Sequence, residues 1–228
     1  MKIDTFASGS SGNAYRVSDG HTTLLLECGI PFRQLQRRSG YTLSDVATCL
    51  VTHEHGDHGK AARDLLSFGI PVWCSRGTAE KLGIFGNPSV QMLKHLQPAH
   101  CGTMDIFPFS VYHDAAEPLG WLILSQIDGE QLFFLTDTGR AEYTLPPVEH
   151  IMIECNHLGI DSMGKTNDFL ARRVAENHLS LEACVRFLRA QDLSLVQDIR
   201  LIHISRAHGD PQIMRQAVAE ATGKLIIV

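Results

Sequence analysis

Residues 50–60 read LVTHEHGDHGK, and this stretch decides the fold. His53, His55, Asp57 and His58 stand in a polar turn directly after the apolar run VATCLV (46–51). Residues two apart on an extended segment point the same way, so His53 and His55 are placed to bind one ion together. Asp57 and His58 follow where the chain turns into a helix, and are placed to face a second ion. Imidazole suits zinc and other first-row metals, and the aspartate makes the donor set a mixed nitrogen and oxygen one. A solvated helix-entry loop with chance histidines is the competing reading, and four ligand-type residues at this spacing outweigh it. Glu54 is the spacer between the paired histidines.

Outward from that turn, the pattern alternates. ATCLVTH (47–53) predicts a buried strand, KAARDLLSFG (60–69) a helix closed by Gly69, and IPVWCS (70–75) a returning strand. Upstream, KIDTF, NAYRVSD and TTLLLECG read as strands joined by tight turns, and PFRQLQRRSG (31–40) as a short helix. The middle is strand-rich: MDIFPFSVYH (104–113), GWLILSQID (120–128) and QLFFLTDTG (131–139). The last third gives strand HIMIEC (150–155), a helix around 166–177, helix SLEACVRFLRAQ (180–191), strand IRLIHIS (199–205), helix DPQIMRQAVAEATG (210–223) and strand KLIIV (224–228). Ser180 and Asp210 are the expected N-caps, the latter with Pro211 in the first helical position. Strands with helices interspersed in both halves imply a layered α/β architecture with mixed sheets. No repeat or linker tract interrupts the chain, so the expectation is one domain over residues 1–228.

Composition narrows the class. Hydrophobic residues make up 44% and charged residues 20% of 228, as in a soluble globular protein. No apolar run approaches the roughly 20 residues of a membrane span, and the N-terminus lacks a signal peptide's apolar core. Cys28, Cys49, Cys74, Cys101, Cys155 and Cys184 are scattered without a C-x-x-C pair, which predicts reduced, buried thiols and a cytoplasmic protein. The net charge of −5 provides no general attraction for a polyanion, although bound divalent cations would add local positive charge.

Two further stretches concern substrate. FASGSSGNAYRV places Ser10, Ser11 and Asn13 among glycines after the first strand, where backbone N–H groups and hydroxyls suit an anionic phosphate. ENHLSLEAC places His178 just before the Ser180 cap, near a helix N-terminus, in a position to contact phosphate or donate a proton to a leaving oxygen. Taken singly, a Gly/Ser turn and an interhelical surface histidine are the plainer readings. Arg33, Arg37 and Arg38 on the early helix, and Arg172 and Arg173 on a later one, are either a grip on a phosphate backbone or ordinary solvated faces.

H-x-H-x-D-H without a gap resembles the signature of the metallo-β-lactamase fold superfamily. That resemblance implies a four-layer αββα sandwich, mixed sheets with helices on the outer faces. It implies a first metal held by His53, His55 and His113, a second held by Asp57, His58 and His203, and Asp137 between them. Glu27, in LLLECG, falls where the superfamily carries an aspartate that orients the histidine loop. SGSSGN, THEHGDH, HDA-x-x-P-x-G, TDTG, HLS and a late HIS, in that order, resemble the YycJ/WalJ-like bacterial subgroup, associated with 5′-exonuclease activity on DNA. Asn177 and Leu181 depart from the Gly and Asn usual around its HLS motif. The resemblance implies two divalent ions per chain, zinc by default with manganese as competitor. The substrate expected is DNA, possibly RNA, with no membrane partner. Catalytic roles fall to Asp57, through its metal, and to His178, as proton donor; Ser10, Ser11, Asn13 and His178 bind substrate. A small-molecule hydrolase of the same fold, acting on a thioester, lactone or cyclic phosphodiester, is the alternative. Oligomeric state is not legible in the sequence.

Overall fold

The computed structural model of the chain describes residues 1–159 and 168–228. They divide into two compact units, Met1–Ser110 with Ala115–Gly129, and Val111–Asp114 with Glu130–Val228.

In the first unit, β1 (Lys2–Ala7), β2 (Ala14–Ser18) and β3 (Thr23–Leu26) form an antiparallel meander, with Lys2 opposite Ser18 and Tyr15 opposite Leu26. β4 (Thr48–Leu50), β5 (Val72–Cys74) and β6 (Val90–Met92) then continue the sheet in parallel. Parallel neighbours need crossovers. These carry α1 (Phe32–Arg38), α2 (Gly56–Gly59), α3 (Ala62–Phe68) and α4 (Arg76–Leu82). All three residues of β4 are buried, without the alternation of a half-exposed strand, as expected where both faces of a parallel strand are covered. Leu25, Leu35, Cys49, Val51, Leu65 and Val72 are fully buried in one cluster. Further along, β7 (Ala99–Cys101), β8 (Met104–Ser110) and β9 (Leu119–Ser125) pair antiparallel.

The second unit is a parallel array, β10 (Gln131–Leu135), β11 (His150–Glu154), β12 (Asp198–Ile202) and β13 (Leu225–Ile227), paired in that order. Its connections hold α5 (Asp168–Asn177), α6 (Leu181–Arg189) and α7 (Pro211–Thr222), with α6 packed on α7. Every residue of β11 is buried.

The expected elements are present with three differences. The helix expected over 60–69 is α3, closed by Gly69 at φ 95°, and a separate one-turn helix, α2, precedes it within the histidine loop. α4, β6 and β7 have no counterpart in the sequence reading. β8 ends at Ser110, so His113 stands in a loop rather than at a strand end: the backbone leaves the ladder when Tyr112 N–H turns to the Thr138 hydroxyl. Ser180 and Asp210 accept hydrogen bonds from backbone N–H groups of α6 and α7, as expected of caps. Thr166 and Asn167, included in the helix expected around 166–177, lie outside the described residues, as does the side chain of Arg172. No helix among the described residues is long and apolar enough to cross a membrane.

Candidate metal centre

In the first unit the histidine loop starts extended and becomes a helix at Gly56. His55, with ψ 149°, is the N-cap of α2, and its carbonyl accepts from the N–H groups of His58 and Gly59, both at 2.9 Å. The ring of His53 lies 4.6 Å from that of His55 and 4.2 Å from that of His58. His58 Nε2 is 3.5 Å from Asp57 Oδ2. His53 and His58 are buried, His55 and Asp57 half-buried. The Glu54 carboxylate accepts from the backbone of Ala116, in keeping with a spacer rather than a ligand.

The loop is held by backbone. Asn13 N–H donates to the Asp57 carbonyl and Cys28 N–H to the His58 carbonyl, each at 2.8 Å. Gly29 lies so close that a methyl group there would overlap the Asp57 carbonyl. Thr52 Oγ1 lies 2.9 Å from His53 Nδ1. Glu27 is fully buried at φ 64°, with Oε2 at 3.5 Å from His58 Nδ1 and both oxygens accepting from Thr52 N–H. The longer acid therefore reaches the histidine loop.

Ser10 and Ser11 are exposed on their turn, but Asn13 does not join them. Its side chain is buried: Oδ1 accepts from Gly9 N–H and the Tyr15 hydroxyl, while Nδ2 donates to the Asp57 carbonyl and lies 3.3 Å from His58 Nε2. Asn13, expected as a phosphate contact, ties the N-terminal turn to the histidine loop.

In the second unit, the last residue of β11, the loops after β10 and β12, the turn between α5 and α6, and Val111–Asp114 supply the polar side chains. Asp137, Glu154, His178 and His203 each offer a ligand atom, all within 4.8 Å of one another. His113 Nε2 is 3.6 Å from Asp137 Oδ2, and His203 Nδ1 is 3.5 Å from Asp137 Oδ1. Thr136 donates to Asp137 at 2.7 Å. Asp137 and His203 have φ of 44° and 54°, a left-handed conformation that costs an L residue about 1–3 kcal/mol and is concentrated at functional sites.

Glu154 organises this cluster, although in the sequence it reads only as part of the strand HIMIEC. Its Oε1 lies 2.7 Å from His178 Nδ1 and 2.9 Å from His203 Nδ1, and its Oε2 accepts from the backbone N–H of Leu179 and Thr138. A carboxylate has about four lone-pair directions, and here four donors use them. Glu154 is thus an orienting group. The short Nδ1 contacts assign the proton to Nδ1 of both imidazoles, leaving Nε2 of His203 as its lone-pair nitrogen. Burial pushes the Glu154 carboxyl up, but the charge and hydrogen bond of His178 and the hydrogen bond of His203 prevail and hold it below the ordinary value. For His178, burial disfavours the charged ring, yet Glu154 and then Asp137 outweigh it and raise the imidazole above its usual range. His157, bridged to Ser180 on the same loop, is lowered by burial.

His113 Nδ1 lies 3.2 Å from the Asn177 carbonyl, and Asp114 N–H donates to the Asn177 side chain. The departure at Asn177 thus has a structural use. Arg173 pairs with Asp114 at 2.9 Å, and Arg38 donates to the Phe6 carbonyl.

Three imidazoles and a carboxylate in one short turn, and buried carboxylates grouped with imidazoles in the second unit, form mixed nitrogen and oxygen donor sets suited to first-row divalent ions. Crowded buried acids of this kind are stabilised by a cation. The donor chemistry fits a metal.

Residues 22–204 match the family model of the β-lactamase superfamily domain. A relative named exodeoxyribonuclease YycJ, from Bacillus anthracis, is 25% identical over 96% of this chain and 88% of its own. Exodeoxyribonuclease WalJ of Streptococcus pneumoniae is 28% identical over 69% of this chain and 63% of its own. Among solved structures, the metallo-β-lactamase fold protein YhfI from Bacillus subtilis aligns with a TM-score of 0.75, covering 99% of this chain and 94% of that one at 15% identity. The fold is that of the metallo-β-lactamases, as the histidine turn implied.

Proposed function

The chain belongs to the β-lactamase superfamily and is a metal-dependent hydrolase of that fold, and from this premise we propose that it is a dinuclear phosphodiesterase, a 5′-exonuclease on DNA. The observation that carries the reading is the Glu154-anchored group of Asp137, His178 and His203. The metal ligands proposed are His53, His55, Asp57, His58, His113, Asp137 and His203, with Glu27 as the acid that orients the histidine loop. Divalent metal, when bound, acidifies water and neutralises charge on a phosphoryl group. His178, hydrogen-bonded through Nδ1 to Glu154, is held with its ring fixed, and a proton at Nε2 is available to a leaving oxygen. Ser10 and Ser11, exposed on their turn, are retained as phosphate contacts, whereas Asn13 acts by holding the loop. Support for DNA comes from the names of two relatives. Zinc is the default occupant and manganese the competitor. The six cysteines are free and buried, which supports a cytoplasmic setting. Residues 1–228 act as one hydrolase domain.

A panel of 5′-labelled single- and double-stranded DNA and RNA, incubated with zinc, manganese or EDTA, tests reaction, substrate and metal together. Release of 5′ nucleotides from DNA, lost with EDTA and in Asp57→Asn, is expected. No release where a control nuclease succeeds removes the proposal. The net charge of −5 favours a second reading, a small-molecule hydrolase, and turnover of thioesters or lactones alone would establish it.

A further inference from the structure

We propose that Tyr112 and Arg140 form a stacking seat for a base of the substrate strand, so that the enzyme recognises a single-stranded nucleic-acid end and not merely a phosphodiester. The inference rests on the phosphodiesterase reading above.

Tyr112 is 48% exposed although it is a large aromatic residue, and the Arg140 guanidinium lies 4.2 Å from its ring centroid. Arg140 is exposed and, among the described residues, has no carboxylate partner. The pair is built by backbone. Tyr112 N–H donates to the Thr138 hydroxyl at 3.1 Å, that hydroxyl donates to the Arg140 carbonyl at 2.7 Å, and Gly139 N–H donates to the Tyr112 carbonyl at 2.8 Å. The same two loops carry His113 and Asp137, whose side chains approach to 3.6 Å. The seat is therefore one residue from one proposed ligand and three from another.

Its chemistry fits a nucleotide. A phenol ring and a planar guanidinium both stack on nucleobases, and the guanidinium adds a charge for phosphate. A pair that serves only packing would cover its ring; this one leaves half of Tyr112 to water. Because both partners are already held, little conformational freedom is lost when a base arrives.

The test measures affinity and turnover in parallel with metal-loaded protein. Affinity is read by fluorescence anisotropy on phosphorothioate-linked DNA and RNA strands and on an abasic strand of equal length; turnover is read on unmodified strands and on methyl p-nitrophenyl phosphate. Tyr112→Ala is expected to weaken base-bearing strands about tenfold while the abasic strand changes less than about twofold. KM on those strands rises with kcat kept, and the small ester is hydrolysed as before. Tyr112→Phe, which keeps the ring, restores binding, and Arg140→Gln weakens both kinds of strand. The DNA and RNA arms show which sugar is accepted. Base-bearing strands bound equally by wild type and Tyr112→Ala, strands with and without bases weakened alike by Tyr112→Ala, or no strand bound by the wild type, each overturn the seat. Wild type that binds strands in the expected pattern yet cleaves no phosphodiester sustains the seat and overturns the catalytic reading instead.

Discussion

Glu154 shows what a single side chain does in this fold. It ends an entirely buried strand, and its four donors fix two imidazoles and two backbone segments at once. In Glu154→Gln one oxygen becomes an NH2 group that faces N–H donors, so the imidazoles lose their common acceptor. Metal affinity is expected to fall about 10–100-fold, the usual effect of removing an outer-shell partner. Metal titration of the purified variant checks this, and unchanged affinity would sink the orienting role. Elsewhere in the second unit, Asp198 stands opposite His150 in the β11–β12 register, 2.7 Å from its Nδ1, with Arg200 Nε at 3.0 Å. Burial pushes the Asp198 carboxyl up, but the hydrogen bond and charge of His150, with Arg200, hold it below the ordinary value. A carboxyl with a depressed folded-state pKa adds stability that is present above the unfolded value near 4 and lost as pH falls through the folded one. Asp198→Asn is therefore expected to be less stable than wild type by about 1–2 kcal/mol at pH 7, with the gap shrinking below pH 4. Denaturant melts at both pH values measure it, and a constant gap contradicts the account. The histidine turn was legible because spacing alone encodes it. Glu154 was not, because a buried acid and an exposed one at a strand end are spelled alike.

At the scale of elements, the site depends on backbone passing close to backbone. The end of β3 lies against the histidine loop through Cys28 N–H, and Gly29 leaves no room for a side chain beside the Asp57 carbonyl. In the second unit, Gly139 does the same for the end of α5, where a methyl group would overlap the Glu176 carbonyl. Gly29→Ala is expected to push the histidine loop away, lowering metal content at least about tenfold and destabilising the fold by about 1–3 kcal/mol, the range for forced overpacking. Gly40→Ala meets no neighbouring atoms but requires φ 67°, so it costs stability without touching metal content. Comparing metal content of the two variants separates local strain from loop displacement; equal loss in both would refute the packing argument. Helices with a cap or a closing glycine, such as α3, α6 and α7, were readable because their ends are written in single residues. α4 is not legible in the sequence: its Ser75 cap is real, but RGTAEKL carries little apolar periodicity to announce a helix. β6 and β7 are three residues each and partly exposed, too short to show a period.

For the whole molecule, the ordered motifs identified the architecture because ligands in this fold sit in loops that leave buried strands, and buried strands are apolar runs in any sequence. What the motifs left open was the left-handed backbone of Glu27, Asp137 and His203, three non-glycine residues in a conformation that no sequence pattern announces. That conformation, with the crowding of buried acids, has an energetic consequence. A ligand that binds the folded chain and not the unfolded one stabilises it by RT ln(1 + [L]/Kd), about 2.7 kcal/mol when free metal is 100 times Kd. In a chain of this length, about 2–4 °C accompanies each kcal/mol, so stripping the metal is expected to lower Tm by about 5–10 °C. Relief of acid crowding adds to the difference, since Asp137 and Glu154 repel each other across the cluster when no cation lies near. Zinc or manganese returned in slight excess should restore Tm, and magnesium, which prefers oxygen donors, should restore less. Calorimetric scans of the chelated and reloaded protein, with metal content measured on the same samples, decide the matter. A Tm that stays fixed while the metal content goes to zero would remove metal from the account of this fold and, with it, the dinuclear chemistry proposed for the site.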